Sequence, residues 1–172
     1  MATATVARRE LKSVNPYNGE VLKTYEEMTP DEVDAAIAKA DEAFRQWRET
    51  SFEHRAGILR RVAQLLRERR EELATIMTLE MGKKIEDARP EIDLCATIFD
   101  YYADNGEKLL ASKEYDTAEG KGTLVHQPVG VIYGIQPWNF PFYQPSRVAA
   151  PQLMAGSVVL PNPPSNVPQS SE

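Results

Sequence analysis

Apolar residues recur every three or four positions in the first part of the chain, and this spacing predicts amphipathic helices. The first helix is expected to begin at Thr29, because its hydroxyl can cap free backbone N–H groups, Pro30 suits the first turn and Glu32 completes a capping box. The apolar stripe that follows consists of Val33, Ile37, Ala40, Phe44 and Trp47. One face of this helix is therefore expected to be buried.

A second helix is predicted from a second capping box, which Thr50 and Glu53 would form. Its apolar positions are Ile58, Leu59, Val62, Leu65, Leu66, Leu73, Ile76, Met77 and Leu79. The charged segment 67–72 lies among them and is typical of a solvated helix face. We expect this helix to continue to Gly82, which suits a left-handed end.

A third helix is predicted over residues 85–103. The residues on its apolar face are Ile92, Cys95, Ile98, Phe99 and Tyr102. Pro90 should kink this helix or start it, because proline inside a helix removes a backbone hydrogen bond. The dipeptide Asn105-Gly106 is expected to end it.

Turn-rich segments predict two β-hairpins, over residues 13–24 and 115–126. The first centres on an Asn-Pro-Tyr-Asn-Gly turn, and the second is expected to turn over residues 118–122. Two strands alone are marginally stable, so each hairpin is expected to lie on something else.

The character of the chain changes towards its end. Residues 129–135 are almost continuously apolar, as in a strand that is buried on both faces of a parallel sheet. A turn at 136–141, a helix over 142–155 and a short strand over 158–160 would complete one βαβ unit.

Domain boundaries follow from these patterns. We expect a flexible N-terminus over residues 1–12 and a folded part over 13–160. The remaining tail, 161–172, holds four prolines and three serines and is expected to be irregular and unpacked.

Composition and charge narrow the class of protein. With 172 residues, 42% of them hydrophobic, the chain is long enough for one globular domain with a core. A net charge of −6 argues against a nucleic-acid partner. No apolar run approaches the ~18 residues of a membrane span and no secretory signal is visible, so no membrane partner and a cytoplasmic location are expected. The single cysteine, Cys95, excludes a disulfide scaffold and a thiolate zinc site, and no metal is expected.

The predicted βαβ unit is the place where chemistry is expected. Ligands of open α/β sheets sit outside the carboxyl ends of the strands, and Asn139 follows the first of these strands. Its amide is a donor of the kind that stabilises a developing oxyanion. Taken alone, the residue is better explained by the shape of a turn, a common role of asparagine.

Residues 136–141, Gln-Pro-Trp-Asn-Phe-Pro, resemble a signature of the aldehyde dehydrogenase superfamily. Other segments that resemble family motifs are 15–21, 79–83 (Leu-Glu-Met-Gly-Lys), 128–132 and 153–156 (Leu-Met-Ala-Gly). Segments 148–156 and 165–169 are most similar to the succinate-semialdehyde dehydrogenase branch. The resemblance extends over nearly the whole chain.

The resemblance implies a truncated α/β fold, with an N-terminal helical segment, the first βαβ of a Rossmann-like NAD- or NADP-binding domain and two oligomerisation-type hairpins. It also implies oxidation of a small aldehyde, succinate semialdehyde above all, to an acid. In the family a cysteine attacks the aldehyde, an asparagine amide and a backbone N–H hold the oxyanion, hydride passes to NAD(P), and a glutamate activates water. Asn139 matches that asparagine.

The same resemblance assigns roles to further positions. Ile135, Pro137 and Trp138 match residues that line the nicotinamide end of the cofactor groove. Arg147 matches an arginine that clamps the distal carboxylate of the substrate, a task that suits a bidentate guanidinium. Ser165 stands where many NAD-specific members carry a ribose-binding glutamate, which leaves NADP open.

Several positions depart from the family pattern. The catalytic cysteine and glutamate have no counterpart in this chain, and Cys95, on an apolar helix face, is not expected to replace the cysteine. Asn162 stands in place of the lysine that contacts the cofactor ribose, and Ser157 in place of a motif asparagine. We therefore expect no aldehyde oxidation by the chain alone and weak or absent dinucleotide binding.

Two alternatives to a portion of an enzyme stay open. The chain could be a non-catalytic interaction module whose hairpins pair with full-length subunits in a homo- or hetero-oligomer. It could also be a stand-alone helical scaffold without a ligand. Cofactor titration separates the first interpretation from these two, and co-purification with a full-length relative separates the two from each other.

Overall fold

The computed structural model describes residues 8–172 and has an α/β architecture. Its helices are α1 (Pro30–Trp47), α2 (Phe52–Glu68), α3 (Arg70–Met81), α4 (Ile85–Leu109) and α5 (Tyr143–Ala155). Its strands are β1 (Glu10–Val14), β2 (Val21–Glu26), β3 (Lys113–Thr117), β4 (Gly120–Leu124), β5 (Val131–Ile135) and β6 (Val158–Asn162), and Gln169–Ser171 forms a 3-10 turn. None of the described helices combines the length and the apolar character needed to cross a membrane.

The capping residue of α1 is confirmed and that of α2 is not. Thr29 Oγ1 accepts a hydrogen bond from Glu32 N at 3.3 Å, while Thr29 N donates to Glu32 Oε2 at 2.8 Å. At the second site Ser51 is the cap, because its Oγ accepts from His54 N at 3.1 Å. Thr50 instead closes the end of α1, where its hydroxyl donates to Trp47 O at 2.6 Å.

The long second helix predicted from the sequence is two helices. Arg69 joins α2 to α3 with φ −97° and ψ 13°, outside the helical range. The break lets the two apolar stripes face different partners. Leu59 and Ala63 of α2 pack in a cluster with α4 and α5, whereas Met77 of α3 packs with Ile92 near the start of α4.

Helix α4 passes through both positions that were expected to interrupt it. It begins at Ile85 and includes Pro90, so the predictions of a start at Pro90 and of an end at 105–106 are wrong. Gly106 is buried where α4 meets α5. A Cβ at this position would clash with Met154, whose Cγ would lie 2.2 Å away. The glycine therefore admits α5 against α4 and does not act as a stop signal.

The predicted βαβ unit is confirmed. β5 and β6 pair in parallel, in a register that runs from Val131 opposite Val158 to Ile135 opposite Asn162. Helices α1 and α5 both contact this sheet. The prediction that the first strand is buried on both faces is wrong, because Tyr133 is 59% exposed.

Both hairpins form, with shifted boundaries. The first pairs β1 with β2 and begins at Glu10, so residues 10–12 belong to it and not to a flexible N-terminus. Residues 1–7 lie outside the described residues. The second pairs β3 with β4 around a two-residue loop, 118–119, which is shorter than the predicted turn.

The tail is packed, contrary to the expectation from its composition. Its first residues extend β6 to Asn162, and Val167 is completely buried. Gln169 N and Ser170 N each donate to the carboxylate of Glu80 at 2.7 Å. Specific hydrogen bonds to a buried acceptor thus order a segment that proline content alone would leave irregular.

Candidate cofactor and substrate site

A cleft of about 130 Å³ lies where the carboxyl ends of β5 and β6 meet the tail. We call residues 136–142, which connect β5 to α5, the β5–α5 turn. The cleft is lined by this turn, by α5 and by the tail, through residues that include Gln136, Pro137, Phe142, Ser146, Pro163 and Ser170. The ends of the two strands are joined by a hydrogen bond from Gln136 N to Asn162 O at 3.3 Å.

The residues expected at the nicotinamide end and at the oxyanion all lie at this end of β5. Pro137 lines the cleft itself. Ile135 is 74% exposed and Trp138 is 51% exposed, and Asn139 is exposed beside them in the turn. The turn thus presents the Asn139 amide and the Trp138 ring outside the carboxyl end of the sheet, where ligands of α/β folds bind.

The residues expected near the ribose lie across from this turn. Asn162, the last residue of β6, is exposed and is opposite Ile135 in the strand register. Ser165 is exposed on the tail that forms the other wall of the cleft. Within residues 8–172, no acidic side chain lines the cleft directly.

A second, more open hollow of about 430 Å³ lies on the other side of the turn, against the start of α4. Phe140 and Tyr143 line it, with ring centroids 6.0 Å apart in an edge-to-face arrangement. Arg147 is exposed one helical turn further on, and its Cζ lies 5.8 Å from the centroid of the Tyr143 ring. The Arg147 guanidinium therefore lies at one edge of this aromatic pair, and Asp87 and Glu91 are among the other residues that line the hollow.

The start of α5 is held by a buried carboxylate that the sequence analysis missed. Glu91 Oε1 accepts hydrogen bonds from Phe142 N and Tyr143 N, both at 3.0 Å. Its other oxygen accepts from the Lys83 ammonium, which lies 3.8 Å from the centroid of the Phe140 ring. The available signal was an acidic residue on an otherwise apolar face of α4.

A second missed carboxylate, Glu80, holds the tail. Its side chain accepts the two backbone hydrogen bonds from Gln169 and Ser170 and a third from Ser170 Oγ at 2.6 Å. Glu80 is 3% exposed. It lies in the Leu-Glu-Met-Gly-Lys segment that pointed to the family, but nothing in the spacing of that segment indicates its partner.

Cys95, the single cysteine, packs in the core as expected and is completely buried. Burial raises the pKa of the Cys95 thiol to about 12, which leaves almost no thiolate near neutral pH. Within residues 8–172, no group of three potential ligands from His, Cys, Asp and Glu is placed to hold a metal ion.

A parallel βαβ unit with a polar turn at its carboxyl end defines the first part of a dinucleotide-binding domain. Comparison with known families agrees: the profile of the aldehyde dehydrogenase family matches residues 3–172, and the chain belongs to this family.

Among the curated relatives are succinate-semialdehyde dehydrogenases. The NADP⁺ enzyme of Deinococcus radiodurans is 42% identical over 163 residues, which cover 95% of this chain and 34% of that protein. The NADP⁺ enzyme 1 of Mycobacterium tuberculosis is 46% identical over 162 residues, which cover 92% of this chain and 35% of that protein. The chain thus spans about a third of the length of these curated relatives.

Solved structures of several aldehyde dehydrogenases superpose on the chain, among them two succinate-semialdehyde dehydrogenases and a betaine aldehyde dehydrogenase from Staphylococcus aureus. Succinic semialdehyde dehydrogenase from Streptococcus pyogenes, in complex with NADP⁺, superposes with a TM-score of 0.90 at 38% identity and covers 93% of this chain and 35% of that chain. Succinate-semialdehyde dehydrogenase from Burkholderia pseudomallei gives 0.89 at 32% identity, with 95% and 34% covered.

Proposed function

We propose that this chain supplies the oxyanion-binding and cofactor-binding part of an NADP-dependent succinate-semialdehyde dehydrogenase. The observation that supports the proposal is the β5–α5 turn, in which Asn139 is exposed at the carboxyl end of β5, four residues before Tyr143, whose ring lies 5.8 Å from Arg147 Cζ. The names of the similar enzymes support the choice of substrate and cofactor.

Asn139 and Arg147 divide the recognition of the substrate. The Asn139 amide donates to the oxygen that gains negative charge when the aldehyde carbon is attacked. Arg147 binds the distal carboxylate, for which its forked donors are suited. Tyr143 lies under the guanidinium and Phe140 beside it, so the short carbon chain between the two polar ends meets an aromatic surface.

The cleft is the place for the cofactor, which supplies the hydride acceptor of the reaction when bound. Pro137 and Trp138 with Ile135 form an apolar border for the nicotinamide end. Ser165 faces the ribose and adds no negative charge, which suits the 2′-phosphate of NADP better than a glutamate would. Asn162 brings no positive charge, so we expect the isolated chain to bind the dinucleotide weakly or not at all.

The chain alone is proposed to be inactive. A covalent mechanism needs a thiolate within reach of the aldehyde. The single cysteine is buried and its pKa is raised to about 12, so it cannot serve as that nucleophile near neutral pH. Steady formation of NADPH from succinate semialdehyde by the pure chain, lost in Asn139→Ala, would contradict this part of the proposal.

A chimera tests the proposed roles directly. Residues 3–172 of this chain replace the matching third of the Deinococcus radiodurans enzyme, and oxidation of succinate semialdehyde is measured with NADP and with NAD. Asn139→Asp keeps the size but replaces the amide by a carboxylate, and should lower kcat by about 10²–10³-fold. Arg147→Met should mainly raise KM for succinate semialdehyde, with little effect on an uncharged aldehyde of similar length.

The control for the arginine variant is Arg61→Met, an exposed arginine on α2 whose nearest acidic oxygen is 3.7 Å away. It should leave both kinetic constants unchanged. If Arg147→Met affects charged and uncharged aldehydes equally, the carboxylate role is refuted. If Asn139→Asp retains full kcat, the oxyanion role is refuted.

A second candidate function is a non-catalytic interaction module, favoured by the second hairpin. All residues of β3 are exposed, and Tyr115 on this strand is 52% exposed. Open strand edges with apolar side chains invite pairing with another chain. Mixing the chain with subunits of a full-length relative, followed by native mass spectrometry, tests this candidate. A Tyr115→Lys variant should then weaken the mixed assembly.

A further inference from the structure

We infer that Glu80 and Glu91 are paired positioning residues, each of which fixes one wall of the cleft at the ends of β5 and β6. Glu91 fixes the β5–α5 turn, and Glu80 fixes the tail. The inference rests on the proposed function only in taking this cleft as the cofactor site; the positions of the two walls follow from contacts alone.

Glu91 acts on the wall that carries the proposed oxyanion donor. Its side chain is 2% exposed, and it receives the N–H groups of Phe142 and Tyr143 at the first residues of α5. These donors are free at a helix N-terminus, where the helix dipole also favours a negative charge. Because Phe142 lines the cleft, the Glu91 carboxylate fixes the position at which the β5–α5 turn borders the cleft.

Lys83 extends the same contact to the tip of the turn. Its side chain is 12% exposed, its ammonium bonds to Glu91, and it lies against the ring of Phe140. Phe140 directly follows Asn139, so one ion pair restrains the turn at its end and next to its proposed catalytic residue. A buried carboxylate would be costly without such compensation.

Glu80 acts on the opposite wall in the same way, without a lysine. Three donors of the tail, Gln169 N, Ser170 N and Ser170 Oγ, fill both of its oxygens. Ser170 lines the cleft. The tail also contacts the first hairpin, through Ser13 Oγ and Gln169 Oε1 at 3.4 Å and through Glu172, which accepts from Lys23 and from Tyr25. The Lys23–Glu172 pair is exposed to solvent, whereas Glu80 is 3% exposed, so Glu80 is the buried anchor of the tail.

Both carboxylates accept hydrogen bonds on both oxygens, and this makes glutamine a sharp probe. An amide of the same shape offers one acceptor and must point an NH₂ group at a remaining donor. Glu91→Gln and Glu80→Gln therefore remove charge and one acceptor with little change in volume. Glu72→Gln is the matched control, because Glu72 is an exposed carboxylate of α3 that is bonded to Arg69.

The test is amide hydrogen exchange of the full chain, measured without nucleotide. Glu91→Gln should speed exchange at residues 140–143 by at least about tenfold, the loss expected for charged hydrogen bonds, and leave residues 167–171 unchanged. Glu80→Gln should do the reverse, and Glu72→Gln neither. In a Trp47→Phe background, which removes the other tryptophan, Trp138 fluorescence should shift in Glu91→Gln and not in Glu80→Gln, a difference that a general loss of stability would not produce.

Milder variants keep the inference testable if a glutamine variant fails to fold. Lys83→Met removes only the ion-pair partner of Glu91, and Ser170→Ala removes one of three donors to Glu80; each should loosen the same wall as its glutamine counterpart, by less. Equal acceleration of both walls and of the helices, or acceleration of neither wall, would overturn the assignment. Failure of the chimera experiment would refute the proposed function and not this inference, since exchange is read without cofactor.

Discussion

The helical cluster formed by α2, α4 and α5 and the sheet formed by β5 and β6 differ in how completely their side chains are buried. In the helical cluster Leu59, Ala63 and Ala96 are completely buried. In the sheet Ile135 is 74% exposed and Tyr133 is 59% exposed. A helix satisfies its own backbone groups, so three helices can complete a core, whereas a strand needs a neighbour on each side.

Because of this difference, we expect the helical cluster to provide most of the stability and the ends of the β5–β6 sheet to bind ligands. The helices form a rigid support on which α5 and its preceding turn rest. The strand ends and residues 137–140 of the turn remain accessible, as candidate binding residues must be. Local stability is expected to decrease from the helical cluster towards the sheet. Four predictions test this comparison.

The largest effect is expected from a cavity in the helical cluster. Leu59→Ala deletes a completely buried side chain and should lower the free energy of unfolding by about 2–5 kcal/mol. Ile58→Ala is the control, because Ile58 is adjacent in sequence and 41% exposed. Urea unfolding followed by circular dichroism measures both. Equal effects of the two variants would show that the cluster does not carry the stability.

Overpacking of α4 against α5 should have the next largest effect. Gly106→Ala places a Cβ 2.2 Å from Met154 Cγ and should cost about 1–3 kcal/mol. Gly57→Ala, in the middle of α2 with nothing within 4 Å of its new Cβ, should instead stabilise by about 0.5–1 kcal/mol. In the double variant Gly106→Ala/Met154→Ala, the cost should be smaller than the sum of the two single costs. Additive costs would show that the close approach of Met154 is not the reason for the glycine.

Gly106 also shows where sequence reasoning reaches its limit. The apolar spacing of the helices, the Thr29 cap and the βαβ order are local, and all of them were predictable. The role of Gly106 depends on Met154, 48 residues away in sequence, and no local pattern reports this contact. Read locally, Asn-Gly indicates a stop, and tertiary packing overrides that preference.

The candidate site divides in the same way. Asn139 and its neighbours could be proposed from the sequence because residues 136–141 resemble a family signature and directly follow a predicted strand. Glu80 and Glu91 were missed because their partners lie about 90 and 50 residues further along the chain. Long-range hydrogen bonds also explain why the tail is packed although four prolines predicted an irregular segment.

A smaller effect is expected from pH, through the buried thiol of Cys95 on α4. Burial raises the pKa of Cys95 from 9.0 to about 12, so the folded state keeps a proton that the unfolded state loses. The contribution of the protonated thiol to the free energy of unfolding is fully present below pH 9 and is lost progressively as the pH rises towards 12. Relative to Cys95→Ala, the chain should lose about 1 kcal/mol between pH 8 and pH 10. A pH-independent difference between the two proteins would show that the thiol is not desolvated.

The smallest effect on folding stability, and a clear one on association, is expected at the sheet. Tyr133→Lys on β5 replaces an exposed side chain, so the free energy of unfolding should change by no more than about 0.5 kcal/mol. A charge on an open strand should nevertheless oppose edge-to-edge pairing, so sedimentation velocity should show less self-association than for the unaltered chain. The reverse control is Lys121→Ala on β4, which removes a charge from another exposed strand position and should not reduce self-association.

Hydrogen exchange completes the test, because residues 129–135 should exchange faster than the helices in a dilute monomer. Strong, uniform protection of these residues would show that two strands suffice, and the contrast between the helical cluster and the sheet would then be wrong.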